Sequence, residues 1–515
     1  MVAKGVQFIP LLMVAALFLL FIVSGLGSKM RQASDYGFSG SYSGRVGSGA
    51  AIASNWMSAA SILGLAGLFY LKGYYAMAFV IGWTGGYVLL LVLMATQIRR
   101  FGKFTAPDFV GFRYESATAR TVVALISIVI SIIYCVAQFR GIALLVSWLF
   151  GLEYREAVLT GAALLVTFVV ISGTLGVIRN QRLQYFVLII AFVLPLMFIN
   201  RKLGYFWVLP QFGYGEAITT LQEQFGFYWS EPFASISLFQ WLALCFTLMF
   251  GTAGLPHVLS RFYLAPSMRD ARWGVVWGLF FISLIYWSAP AYGVLARLFD
   301  ARAGNAFKLP DPATADLVTL TAVTQAGLPS WVLGLLVAGG MAAAFYAAAG
   351  LLQSGAAAFA YDIYPRLINR SATDSDKVVV AKGIFLLLAG IVMLFSLNQT
   401  GLIAEIAAVA FALAGNTIFP AFLLGIWWSR TNAAGVLSGM LLGVLITAAS
   451  LLFGELLPLV KVIFPLTSSA FIGAPVVSLV MIVVSLLTRP PSDEMVAFLI
   501  RDVHEIGRAS CRERV

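Results

Sequence analysis

The sequence predicts an all-α integral membrane protein. Of its 515 residues, 61% are hydrophobic and 11% charged, and the mean hydropathy is +0.92, far from the composition of a soluble globular domain. Apolar runs long enough to cross a bilayer recur along the chain. Lys and Arg gather in short connections on alternate sides of those runs. The formal net charge of +11 therefore fits anchoring of loops at a lipid bilayer, and no nucleic-acid partner is expected.

Thirteen transmembrane helices can be read, at about 7–26, 50–71, 75–97, 121–150, 156–177, 182–200, 232–256, 273–298, 329–362, 378–397, 402–428, 433–454 and 468–488. The first is long enough to be a true span and not the apolar part of a signal peptide. The second, within Ala50 to Gly73, is apolar yet interrupted by Ser54, Asn55, Ser58, Ser61, Gly64 and Gly67. Such a helix unwinds easily, and an unwound turn frees backbone groups that a bound ion or polar solute can satisfy. Small residues also serve close helix packing, and this stretch alone leaves both uses open. Span seven has the same character: MFGTAGLPHVL there answers SNWMSAASILG in span two, five spans earlier. Inverted five-helix repeats, each opening with a broken helix, have this pattern. The ninth run, 329–362, is too long for one upright crossing and is expected to tilt or project. The segments around 201–231 and 299–328 carry acidic residues and prolines and are expected to be short surface helices.

Twenty Lys and Arg fall in connections after odd-numbered spans, against nine on the other side. That bias puts the N-terminus outside and the C-terminus in the cytoplasm. The loop with Lys103 and Asp108 is then cytoplasmic and the segment around Glu223 external. Residues 1–488 read as a single transmembrane domain and 489–505 as a cytoplasmic tail. The last ten residues, Ile506 to Val515, back-translate without mismatch into a common sequencing-adapter sequence. They are expected to be foreign, with the natural chain cut short near Glu505. Without their three Arg and one Glu the net charge is +9.

Several chemistries are missing. Cys135, Cys245 and Cys511 make neither a disulfide framework nor a metal motif. There is no P-loop, no HExxH and no serine-nucleophile motif, and only two histidines. An enzyme is not expected, and no cofactor is implied.

Four stretches narrow the reading. RRFGKFTAPDFVGFRY (Arg99 to Tyr114), ASNWMSAASILG in span two, GTAGLPHVLSRFY (Gly251 to Tyr263) and QYFVLIIAFVLP in span six resemble the sodium:solute symporter family. They point to its acetate and short-monocarboxylate branch, which includes a group whose large subunit is accompanied by a small membrane subunit. The resemblance covers all thirteen spans. It implies a LeuT-type core of inverted five-helix repeats over spans two to eleven, with one helix before and two after. It implies a secondary transporter of the bacterial cytoplasmic membrane that moves a small organic anion such as acetate by alternating access.

It also implies a sodium site. The family's main-chain ligands fall on Ser54, Met57 and Ala343, and its hydroxyl ligands on Tyr346 and Ala347. The hydroxyl pair is gone, and a hard cation needs several oxygens. Asn55 stands where the acetate-type motif usually carries Asp. Arg182 aligns with the Asp or Gln that the family often places early in span six. The sodium site is therefore expected to be degenerate, with the Arg182 guanidinium in place of the ion; an Arg so near the helix end can equally snorkel to the headgroups. His257 falls where members place an inner-gate residue facing the solute. Its imidazole titrates near neutrality and could donate to a carboxylate, or it is a helix-end histidine bonded to a neighbour. Ser58, Ser61, Gly251 and Thr252 face one centre if both helices are broken, and Trp56, Trp83 and Tyr87 either close that pocket or pack. Gln138 and Arg140 lie mid-span in span four, where an ionised Arg140 needs a partner or a cavity. Two alternatives remain: a sodium-independent uniporter, exchanger or proton-linked carrier of the same fold, and a transporter-like sensor whose signalling domain lies beyond the C-terminus.

Overall fold

A computed structural model gives the fold and describes residues 5–25, 45–101, 105–226, 236–263, 268–305, 312–398, 401–453 and 465–504. The suspected adapter segment and its boundary at Glu505 lie outside them. Among the described residues there are helices and no strand. α1 (Phe8–Gly25) is a plain apolar helix. The next crossing comes in two pieces, α2 (Arg45–Trp56) and α3 (Leu65–Lys72), the second entered through a π turn over Ala60–Gly64. Between them Met57 and Ser58 leave the helix. Gly73, at φ +58°, supplies a positive φ that other residues resist, and the chain reverses there. α4 (Met77–Leu89), a π turn over Leu90–Met94 and α5 (Ala95–Phe101) complete the return.

α6 (Ala106–Arg113) is short, and its N-cap Thr105 hydroxyl accepts from the Asp108 N–H at 3.0 Å. α7 (Ala117–Phe150) starts at a Ser116 cap and ends at Gly151 in the left-handed region. Its 34 residues span about 51 Å, well over the hydrocarbon thickness. α8 (Tyr154–Arg179), α9 (Gln181–Leu203) and the surface helix α10 (Pro210–Phe225) follow. α11 (Leu238–Gly254) opens with a Ser237–Gln240 capping box and breaks at Leu255 before α12 (Pro256–Tyr263). α13 (Met268–Asp300), α14 (Pro312–Ala315) and α15 (Val318–Gln325) lead to α16 (Ser330–Ala357), which runs on as a π-helix over Ala358–Ile368. α17 (Asp374–Ser396), α18 (Ile403–Trp427), α19 (Ala433–Phe453), α20 (Ala470–Leu487) and α21 (Asp493–Phe498) close the described chain.

Ten helices among the described residues are long and apolar enough to cross a membrane, against thirteen read from the sequence. The difference lies in Phe8–Ser24 and Leu238–Gly254, which are apolar but shorter, and in Ala60–Phe101, which counts as one stretch although Gly73 folds it back. α16 and α18 are buried almost throughout, whereas α17 and α19 turn Leu394, Phe395 and Leu445 outward as a lipid-facing surface would. α2 packs on α13, α11 on α4 and α18, and α7 on α16.

The expected surface position of 299–328 fails for part of that range, and 306–311 lie outside the described residues. Ala315, Asp316, Val318, Thr319 and Leu320 are buried. A Cβ added to Gly67 would lie 2.8 Å from the Ala315 carbonyl oxygen, so the backbone of Ala315 and Asp316 packs closely on α3.

The basic face is tied together from α6. Arg113 is fully buried. It donates to the carbonyls of Gly425 (2.6 Å), Trp428 (3.1 Å), Ser429 (3.3 Å) and Thr431 (3.2 Å). Those include orphan acceptors at the C-terminus of α18, where a cation also suits the helix dipole. Burial pushes the Arg113 pKa down, but a guanidinium stays charged. Arg120 of α7 bridges Asp108 (2.8 Å) and the buried Asp362 (2.6 Å), joining α6, α7 and the end of the ninth span.

Candidate functional site at the helix break

The unwound turn between α2 and α3 would leave the Ala59 amide unpaired, which costs several kcal/mol in a membrane interior. Gln138 Oε1 on α7 accepts from it at 2.9 Å. The residues freed from the helix then meet other hydroxyls. Ser58 Oγ lies 3.4 Å from both Ser61 Oγ and Tyr134 Oη, and Ser61 Oγ lies 3.2 Å from Tyr286 Oη of α13.

Aromatic rings enclose this cluster. Trp56 stands edge-on to Tyr87 (4.9 Å between centroids) and Phe411 (5.8 Å). Trp83 lies 5.6 Å from Tyr286 and 5.8 Å from Phe411. Tyr134 lies 5.5 Å from Phe411 and 5.8 Å from the His257 ring. All of these side chains are buried, and the Trp83 indole N–H has no hydrogen-bond partner.

Trp56, Ser58 and Ser61 are thus brought together with Trp83 and Tyr87, and His257 adjoins them through Tyr134. Gly251 and Thr252 have other neighbours. A Cβ on Gly251 would fall 2.4 Å from the Phe411 carbonyl oxygen, so this glycine serves the close approach of α11 to α18. The Thr252 hydroxyl donates to the Leu248 carbonyl at 2.7 Å, and its side chain packs on Gly86 of α4.

Around the residues expected to ligate an ion, side-chain hydrogen bonds join the helices. Ser54 and Met57 are fully buried. The Ser54 hydroxyl donates to Gln184 Oε1 of α9, and Gln184 Nε2 donates to the Ala342 carbonyl of α16 at 3.4 Å. One amide therefore joins spans two, six and nine. Ala343 and Ala347 are buried, and Ala347 has a methyl group where the resemblance implies a hydroxyl. The Tyr346 ring stands edge-on to Phe21 (5.4 Å) and Phe168 (5.5 Å). The Arg182 side chain lies outside the described residues. His, Cys, Asp and Glu make no group of three that could hold a metal ion among the described residues.

A model of the sodium:solute symporter family matches residues 36–443. The chain belongs to that family. It is 28% identical to an uncharacterized symporter of Cupriavidus necator, with 88% of each chain covered. Its fold is similar to that of a Na+-coupled sialic acid symporter solved in a substrate-bound, outward-open state: TM-score 0.74, 17% identity, 94% of this chain and 98% of that one. This sodium:solute symporter family member is therefore a multi-pass transporter of LeuT-type fold.

Five residues at or near the helix break have little or no counterpart among the sequence expectations. Tyr134 had a legible signal: Ser127, Ser131, Tyr134, Gln138 and Gly141 form one polar stripe along α7, and its polar members are buried. Gln184 stands two residues beyond Arg182, whose charge drew attention first. Tyr286 and Phe411 sit in runs of similar aromatic and apolar residues with nothing local to distinguish them. Asp316 was hidden by the assumption that its segment lay on the surface.

Proposed function

We infer that this transporter carries a small organic anion, an acetate-like short monocarboxylate, across the bacterial cytoplasmic membrane by alternating access. Its N-terminus would lie outside and its C-terminus inside. The observation that carries this reading is the hydroxyl cluster of Ser58, Ser61, Tyr134 and Tyr286 at the helix break. Four hydroxyls and the Trp83 indole N–H offer enough donors for two carboxylate oxygens, each charge-assisted bond being worth about 1.5–3 kcal/mol. The surrounding rings exclude water and suit a short alkyl group. His257, beside Tyr134, is a further donor on the α12 side.

Transport would proceed without sodium. Ala347 carries no oxygen where the family places a hydroxyl ligand, and the Gln184 amide already engages the Ser54 hydroxyl and the Ala342 carbonyl. That amide holds together the helices that a cation would otherwise bridge.

Tryptophan fluorescence of the purified protein tests the solute reading, because Trp56 and Trp83 line the cluster. Acetate and propionate should change the emission saturably, and Trp83→Phe should remove most of the change. A response to sugars or amino acids but not to monocarboxylates would contradict it.

A further inference from the structure

A buried ion pair lies beyond the hydroxyl cluster, on the side away from the basic loops. Arg140 of α7 is 3% exposed and Asp316, between α14 and α15, is fully buried. One contact joins them: Arg140 Nε lies 3.2 Å from Asp316 Oδ2. The same oxygen accepts from the Ile403 N–H, at the start of α18, at 3.3 Å. Arg140 Nη1 and Asp316 Oδ1 are buried without hydrogen-bond partners. Guanidinium–carboxylate pairs often close two parallel bonds, whereas this one makes a single contact.

Its neighbours place it at the threshold of the cluster. Gly141 packs on the Ala59 methyl, Ile403 packs at Gly64, one turn from Ser61, and the backbone of Ala315 and Asp316 packs at Gly67. The Tyr154 phenol lies beside Arg140, and Glu405, whose charge also acts on Asp316, pairs with Lys72 at 2.5 Å.

We propose that Arg140 and Asp316 form the external gate of this transporter, and that Asp316 is a tethered stand-in for the carboxylate of the solute. The proposal rests on the reading of the solute as an organic anion. A buried guanidinium needs a counter-charge in every state. With the α14–α15 lid down, Asp316 supplies it. When the lid lifts, Asp316 leaves with it and Arg140 faces the opened path with Nη1 free. An entering carboxylate takes over the vacated position, while a neutral molecule of the same shape would leave the charge bare. Exchange of one carboxylate for the other links opening to the arrival of an anion and excludes neutral analogues.

The test is uptake of labelled acetate and propionate into proteoliposomes holding wild type, Asp316→Asn or Arg140→Gln, with acetamide as neutral competitor. In wild type, unlabelled acetate should compete and acetamide should not. Asp316→Asn removes the tethered competitor, so KM should fall roughly tenfold. Arg140→Gln should raise KM at least roughly tenfold and let acetamide compete as well as acetate. A pair that only stabilises the fold would lower the active fraction in both variants and leave KM unchanged, and that result overturns the gate. Should either variant fail to fold, Asp316→Glu and Arg140→Lys keep the charges: KM near wild type for the first and raised for the second supports the gate, and equal KM in both overturns it. Absence of any monocarboxylate uptake by wild type overturns the anion reading beneath it instead.

Discussion

Gln138 Oε1 accepts the Ala59 amide hydrogen at 2.9 Å, so the break in the second span is held open by a side chain of the fourth. The interaction joins α7 to the loop that presents Ser58. It explains how an unwound turn persists in an apolar interior, where every backbone group needs a partner.

Replacing Gln138 by Leu should leave that amide unpaired and cost about 1–3 kcal/mol. Uptake should slow and thermal stability in detergent should drop, whereas Gln138→Glu, which keeps the acceptor, should lose less of both. Equal behaviour of the Leu and Glu variants would mean that the amide finds another acceptor.

Gln184 makes a sharper test of coupling, since its amide joins Ser54 to the Ala342 carbonyl. Gln184→Glu replaces a neutral strut by a carboxylate at the place where a cation would sit. A buried, unpaired carboxylate is costly, so uptake by this variant should fall in choline and recover in sodium. Wild type should show no such difference. Identical ion responses in the two proteins would remove Gln184 from the coupling argument.

Acidity should act through Asp316. Burial pushes its carboxyl up to about 6 although Arg140 pulls it down. A carboxyl returned to water by lid opening would sit near about 3.9. The closed arrangement thus binds the proton more tightly than the open one, and protonation favours closure as pH falls through 6 towards 4, at most roughly tenfold per pH unit. Arg140, Tyr154, Ile403 and the Glu405–Lys72 pair surround this carboxylate, and no histidine is among them. External labelling of a cysteine at the buried Thr319, normalised to one at the exposed Glu223, should slow between pH 7 and 5. A ratio that rises with acid would reverse the assignment.

Much of this architecture was legible because membrane helices announce themselves by hydropathy and loop charge. The broken second span was readable from Ser54 to Gly67, since polar and glycine residues weaken a helix wherever they sit. The seventh was readable in the same way, from the polar and glycine residues of MFGTAGLPHVL. What stayed hidden depends on which side chains meet across helices. Nothing local to Tyr286 says that its phenol reaches Ser61, and nothing local to Phe411 says that it stands between Trp56 and Tyr134. Gly251 and Thr252 are small residues that suit both a pocket and a tight helix crossing, and in the structure they pack on Phe411 and Gly86. Asp316 lies in a connection whose composition resembles a surface segment, and only its packing against Gly67 and its burial set it apart.

The most direct measurement is uptake of labelled acetate and propionate into proteoliposomes holding only the purified chain, with sodium outside in one set and choline in the other. The account predicts saturable uptake that other short monocarboxylates compete with, at equal rates in the two media. Uptake that requires sodium, or no monocarboxylate uptake in either medium, would contradict it.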